Sequence, residues 1–230
     1  MSPSEGQSPR VSVVIPAYNE ATRIGGVVRR ASTVADEVIV VDDGSTDNTA
    51  AVAEAAGARV VRQTKAGYIA AIRRGFREVR GEVVVTMDAD GEHDPKDIPR
   101  LVTPILENRA DLVLGRRARI PRLSERFLDW LARLRVPQAH DTGTGFRALR
   151  RELALKLQLR GRCICGISVL EPVVALGARV AEVPIQLARV EKPRRIAWFH
   201  LPQVWYVLRW LVAGRENRKH HRSAGGRWNP

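Results

Sequence analysis

A chain of 230 residues with 44% hydrophobic and 27% charged residues has the size and composition of one substantial core, which excludes wholesale disorder. Its two cysteines, Cys163 and Cys165, exclude a disulfide scaffold and, with no second Cys or His cluster nearby, a zinc framework; they read as buried free thiols. The net charge of +13 is unevenly placed, with 13 basic and 16 acidic residues over 1–108 against 25 and 9 over 109–230, so two surfaces with opposite tasks are expected.

Residues 1–10, MSPSEGQSPR, lack the apolar core of a signal peptide and read as a disordered tail, on the cytoplasmic side. From Val11 strand and helix alternate. VSVVIP predicts the first strand and residues 22–34 a helix; EVIVVDD the second strand, followed by STDNTAAVAEAAGA, which has helix-start polar residues, an Ala-rich interior and Gly57 as a stop. RVVRQ predicts a third strand with a helix over 68–80, EVVVTMD a fourth with a helix over 95–108, and DLVLG a fifth. Continuous Val/Ile runs between helices indicate parallel strands buried on both faces. After Gly115 the alternation loosens. Residues 122–134 read as an amphipathic helix, DTGTGFRAL as a loop entering a short strand, 150–159 and 168–176 as helices, and ARVAEVPIQL as a late strand. The expected fold class is α/β, a mostly parallel, Rossmann-like sheet flanked by helices, with a C-terminal amphipathic helical segment.

Ligands of open parallel sheets bind at the carboxyl ends of the strands, and the ends here, PAYNE, DDGSTD and DADGEHD, are all polar or acidic. Asp88 and Asp90 flank Ala89 at one such end. Carboxylates at that spacing suit Mg²⁺ or Mn²⁺, which take one or two of them together with phosphate oxygens, and Glu92 is a candidate third ligand. The plainer alternative is a solvated acidic loop in which Asp94 caps the next helix. Asp42 and Asp43 end the second strand, where a carboxylate can accept from a nucleobase N–H or a ribose hydroxyl, or simply serve a turn. No G-x-G-x-x-G or Walker loop occurs, which excludes dinucleotide dehydrogenases and P-loop enzymes.

Residues 109–151 hold 11 arginines, no lysine and 4 acidic residues. The planar guanidinium fork suits bidentate phosphate binding, and Arg117 and Arg147 lie beside motif positions. A nucleic-acid surface would leave the acidic strand ends unexplained, so no nucleic-acid partner is expected. His93 and His140 adjoin acidic residues and are not assigned as bases.

Together VSVVIPAYNE, VIVVDDGSTDNT, MDADGEHDP and GTGFRAL, in that order, resemble the family 2 inverting glycosyltransferases of GT-A fold, and within them the dolichyl and polyprenyl phosphate mannosyltransferases and glucosyltransferases. The resemblance covers residues 11–190, the expected catalytic domain. It implies that Pro16, Ala17, Tyr18 and Glu20 form a donor-binding loop, that Asp42 and Asp43 contact base and ribose, and that Asp88, Ala89 and Asp90 form a metal-diphosphate motif, with Glu92 where the lipid-phosphate enzymes often carry Gln. It places Asp90, Arg117, Asp141 and Arg147 among the catalytic residues. The family's late Gly-x-Ser-Lys element is replaced by RVEKPRR. The implied cofactor is Mg²⁺ or Mn²⁺, the donor a nucleotide diphosphate sugar such as GDP-mannose or UDP-glucose, and the acceptor a polyprenyl phosphate lipid; the alternative is a saccharide, protein or other non-lipid acceptor. A phosphate monoester, with a second pKa of about 6, needs no general base, whereas a hydroxyl acceptor does.

Residues 191–214 read as an amphipathic helix and 215–230 as a basic flexible tail. Between Arg195 and Arg209 lie 13 uncharged residues, too few for the roughly 20 of a spanning helix. Trp198, Phe199, Trp205, Tyr206 and Trp210 concentrate here, and residues 189–230 hold 10 basic and 2 acidic residues. The expectation is that 196–212 lies on a membrane surface, making the protein peripheral on the cytoplasmic face; packing on the domain or in a dimer interface is the alternative.

Overall fold

Strand residues of alternating direction build two apolar layers, one on each face of a single sheet. A computed structural model describes residues 10–120, 123–159, 167–188, 204, 205 and 207–210. Its strands are β1 (Val11–Ala17), β2 (Glu37–Asp42), β3 (Arg59–Arg62), β4 (Val83–Thr86), β5 (Leu112–Arg117), β6 (Arg147–Arg150) and β7 (Val180–Ile185), in the order β3-β2-β1-β4-β6-β5-β7. β6 is antiparallel to both neighbours, β4 and β5, and every other pairing is parallel.

The helices are α1 (Ala21–Ala31), α2 (Thr49–Ala55), α3 (Tyr68–Glu78), α4 (Ile98–Leu106), α5 (Leu123–Arg133), α6 (Arg151–Lys156) and α7 (Ile167–Ala175). Val13, Ile15, Val38, Val40, Val85 and Val113 pack with α1 and α4 residues such as Ile24, Val28 and Leu101. Their neighbours in sequence, Val14, Ile39, Val41, Val84, Leu112 and Leu114, pack with Ile72, Phe76, Leu128, Leu131 and Val173 on the other face. This is the period of two that a doubly covered strand demands. Gly75 lets α3 lie directly on β1, since a Cβ there would overlap the Val14 side chain.

Of the boundaries that differ from the sequence expectation, two have a clear local cause. The helix expected over 95–108 opens with a separate 3-10 turn, Pro95–Asp97, where the Asp94 side chain accepts from the Lys96 N–H at 3.1 Å; Asp94 is thus a cap. The helix expected over 150–159 ends at Lys156, because Leu157 is extended, and Leu157 and Leu159 both turn into the core.

The C-terminal segment is described only at 204, 205 and 207–210, which are helical. Val207 and Trp210 are buried in the domain core, and Arg135 stacks over the Trp210 ring at 4.8 Å while donating to its carbonyl at 2.8 Å. Within the stretch expected on a membrane surface, 196–212, the described residues Val207 and Trp210 thus pack on the body, as in the alternative weighed above. Trp205 and Leu208 are exposed. Among the described residues no helix is long and apolar enough to cross a membrane. Residues 1–9 of the expected N-terminal tail, the expected basic tail 215–230, the RVEKPRR stretch and both cysteines lie outside the described residues.

Candidate active site

The strand order reverses direction at β1, which has β2 on one side and β4 on the other. The loops leaving β1 and β4 therefore diverge and open a crevice at their carboxyl ends, the position at which doubly wound sheets bind ligands. Pro16 and Ala17 are buried at the end of β1 and pair with Val41 and Asp42 of β2. Tyr18, just beyond, is exposed, and the Lys65 ammonium sits over its ring at 3.7 Å. Glu20 immediately precedes α1; its backbone N–H donates to the Thr49 hydroxyl at 2.8 Å and its carboxylate meets Arg23 at 3.2 Å.

The β2 carboxylates organise their own loops. Asp42 accepts from the Ser45 N–H at 3.2 Å and from the Ser45 hydroxyl. Asp43 accepts from the Gln63 amide at 2.7 Å and from the N–H groups of Ala66 and Gly67, both at 2.8 Å. Both are buried. Asp43 thereby holds the segment carrying Lys65 and the start of α3, the turn role weighed for it above.

Asp88 follows β4 at the same edge. Tyr68, the first residue of α3, donates its hydroxyl to Asp88 at 3.2 Å. Burial raises the Tyr68 phenol well above its ordinary pKa and the Asp88 charge adds to this, while the nearby positive charge of Arg147 opposes it; it is a proton donor at neutral pH. Gly145 lies against the Asp88 carboxylate so closely that a Cβ would overlap it, and its carbonyl accepts from the Thr86 hydroxyl at 2.8 Å. His93 is buried, stacks on Phe146 with centroids 5.0 Å apart, and faces the Asp88 N–H at 3.3 Å with Nδ1. Ala89 is buried, and Asp90 accepts from the Glu92 N–H at 2.9 Å in a local turn. The Glu92 carbonyl accepts from the Ala188 N–H at 2.8 Å, and Leu187 stands opposite His93 in an isolated antiparallel bridge, so the chain beyond β7 returns to this loop.

Among the described residues no three Asp, Glu, His or Cys side chains gather as a metal cage. The expected set of Asp88, Asp90 and Glu92 is therefore not gathered as a three-ligand cage. One or two carboxylates with open positions still fit a divalent ion whose shell is completed by donor phosphates and water.

The arginines divide. Arg117 donates to Asp141 from Nε and Nη2, both at 2.8 Å, and from its backbone N–H at 2.9 Å; Nη2 also meets Glu125 at 3.1 Å. Burial works against its charge, but the bonds to Asp141 and the charges of Asp141 and Glu125 outweigh it and hold the guanidinium above its ordinary pKa. Asp141 is fully buried, and its own N–H donates to Glu182 at 2.9 Å. Arg117 and Asp141, both expected among the catalytic residues, are thus paired with each other, and Arg117 also lines a groove with Arg116 and Arg119. Arg147 is different. It is 7% exposed on β6, its Nη2 donates to the Thr142 carbonyl at 3.3 Å, and its Nε has no hydrogen-bond partner among the described residues. Tyr68, Gly145 and Asp129 were not anticipated from the sequence; the first two had the signals of an aromatic opening a helix and a glycine two residues before a motif arginine.

The chain is similar in sequence and fold to known proteins. The family model described as Glycosyl transferase family 2 matches residues 12–158. Dodecaprenyl-phosphate galacturonate synthase of Rhizobium johnstonii is 30% identical, over 78% of this chain and 59% of its own length. Dolichol-phosphate mannosyltransferase of Pyrococcus furiosus is 30% identical, over 87% of this chain and 64% of its own length. The chain thus spans about three fifths of the length of these curated relatives. Among solved structures, glucosyl-3-phosphoglycerate synthase from Mycobacterium tuberculosis in complex with Mn²⁺, UDP-glucose and phosphoglyceric acid aligns with a TM-score of 0.69 at 31% identity, covering 80% of this chain and 73% of that one. The same enzyme in complex with UDP aligns at 0.73 and 28% identity, covering 88% and 80%. Sheet order, strand-end chemistry and these matches agree: the chain belongs to glycosyl transferase family 2 and has the GT-A fold.

Proposed function

We propose that this chain transfers a hexose from a nucleotide diphosphate sugar to a polyprenyl phosphate at the cytoplasmic face of a membrane, with inversion at the anomeric carbon. The observation that carries the reading is Arg147, a nearly buried cation whose Nε has no hydrogen-bond partner among the described residues, beside the Tyr68–Asp88 pair at the sheet edge. A cation so placed costs free energy that an anionic ligand offsets.

Tyr18 and the loops held by Asp42 and Asp43 would receive the nucleotide. Asp90 and Asp88 would hold Mg²⁺ or Mn²⁺, which when bound supplies neutralisation of the donor diphosphate. Tyr68 and Gly145 fix the Asp88 carboxylate, and Arg147 attracts phosphate into the crevice. An acceptor phosphate oxygen then attacks the anomeric carbon as the bond to the nucleoside diphosphate breaks. Because a phosphate monoester is largely dianionic near pH 7, no protein base is required, consistent with Asp141 being committed to Arg117.

The test is a screen of radiolabelled GDP-mannose, UDP-glucose and other nucleotide sugars, with Mg²⁺ or Mn²⁺, against a polyprenyl phosphate, 3-phosphoglycerate and unphosphorylated saccharides. Transfer to the polyprenyl phosphate is expected. Transfer to 3-phosphoglycerate alone would move the acceptor to a soluble phosphate, the reading favoured by the solved neighbour's bound ligand; transfer only to unphosphorylated saccharides would overturn the phosphate-acceptor reading.

A further inference from the structure

Helix α5 presents an apolar stripe to solvent. Leu123, Phe127 and Trp130 on the helix, and Leu134 just past its end, are 79%, 46%, 50% and 61% exposed. Their spacing of four, three and four residues keeps them on one side, over about 16 Å at 1.5 Å per residue. The Phe127 and Trp130 rings stack with centroids 5.8 Å apart. The opposite side, Leu128, Leu131 and Ala132, is buried in the core, so this is a second apolar face on a helix already anchored by its first. Stripes of this size on a soluble surface mark an interaction site.

Charge identifies the partner. Both carboxylates of α5 turn inward: Glu125 meets Arg117 and Asp129 meets Thr142. Both of its arginines, Arg126 and Arg133, are exposed, as are Arg116 and Arg119 just before it. Between the end of β5 and the start of α5 lies a groove of about 440 Å³, whose lining includes Arg116, Arg117, Arg119, Leu123, Arg126 and His140. Exposed indole and phenyl rings beside a cluster of arginines match the boundary between anionic headgroups and acyl chains.

We propose that this face of α5 docks the chain on an anionic lipid bilayer, with Leu123, Phe127, Trp130 and Leu134 at the acyl boundary and the groove arginines on headgroup phosphates. The proposal deepens the polyprenyl phosphate reading and rests on it only for its biological purpose. Docking needs neither donor nor turnover, so its failure and that of the transfer reading are separable.

The experiment is flotation of the full chain with phosphatidylcholine vesicles and with vesicles containing phosphatidylglycerol, for wild type and for the double variant Phe127→Ser, Trp130→Ser, which keeps every basic residue. Wild type should float with the anionic vesicles, and the double variant should lose about tenfold or more in partitioning at unchanged circular dichroism. If that variant misfolds, Trp130→Phe serves instead: quenching of wild-type tryptophan fluorescence by nitroxide-labelled lipid should fall on removing this one indole. Wild type that stays off anionic vesicles at low salt overturns the proposal, as does a folded double variant that floats equally well or a Trp130→Phe protein quenched as much as wild type. Sedimentation as a dimer that the same two substitutions dissolve, with vesicle binding unaffected, overturns it too and makes the face a contact between copies of the chain.

Discussion

Gly145 and Arg147, two residues apart, test the two ingredients of the site, a placed carboxylate and an under-partnered cation. Gly145 is required for closeness, because any side chain would occupy the volume of the Asp88 carboxyl group. Gly145→Ala is expected to displace Asp88, lowering kcat by roughly tenfold to a hundredfold, about 1.4 to 2.8 kcal/mol of transition-state stabilisation, while the melting temperature moves little. Unchanged kinetics would show that the position of Asp88 is immaterial. Arg147 makes the opposite kind of prediction. With its hydrogen bond to the Thr142 carbonyl long, at 3.3 Å, it gives the fold little in return for its burial. Arg147→Met should leave stability unchanged or raise it by about 1–2 kcal/mol, yet reduce kcat/KM at least about a hundredfold. Urea denaturation and steady-state kinetics on the same preparation separate the two effects; a loss of both together would make Arg147 a structural residue.

At the scale of elements, α5 is tied to the loop that seats Asp88 by Asp129. One oxygen of Asp129 accepts from the Thr142 N–H at 2.8 Å and from its hydroxyl at 2.7 Å; the other is buried without a hydrogen-bond partner among the described residues. Burial pushes this carboxyl up to about 6, the bonds from Thr142 oppose the shift, and the Asp141 charge reinforces it against Arg117. In the unfolded chain an Asp titrates near 3.9. Between about pH 4 and 6 the folded state therefore holds a proton that the unfolded state has lost, and the stability this gives below pH 4 is lost as pH rises through about 6. The stability of Asp129→Asn minus that of wild type should be larger at pH 7 than at pH 5, by on the order of 1–3 kcal/mol. Urea titrations at both pH values measure it, and a pH-independent difference would show that Asp129 does not titrate in this range. The sequence reveals α5 as amphipathic, but periodicity alone does not say that its carboxylates turn inward while a second apolar stripe faces out. The short strand after the GTG loop was likewise legible, whereas its antiparallel insertion between β4 and β5 depends on long-range pairing.

Across the whole molecule, the basic second half divides between under-partnered or exposed charge and internal bracing, and only the folded structure distinguishes them. The strand-end motifs were legible because parallel strands force their carboxyl ends onto one edge; the partners of individual arginines were not, because those pairs bridge elements far apart in sequence. Arg117 reaches Asp141, and Arg150 and Arg179 both reach Asp111, at 3.1 and 3.0 Å. Asp111 is fully buried at the start of β5 and also accepts from the Arg179 backbone N–H at 2.8 Å. It therefore joins β5 to the end of β6 and to the entry of β7, at the end of the sheet remote from Asp88. Replacing it by Ala would leave two guanidinium groups without their shared carboxylate. Full burial of such a pair would make the cost about 3–5 kcal/mol, and because both arginines reach solvent the expected loss is about 2–3 kcal/mol. Turnover per folded molecule should stay near wild type, since none of these groups adjoins the crevice between β1 and β4. Denaturation midpoints together with kinetics corrected for the folded fraction check both halves of this expectation; a folded Asp111→Ala protein with wild-type stability would show that the arginines find other partners, and one that is stable but inactive would show that the far end of the sheet is coupled to the site.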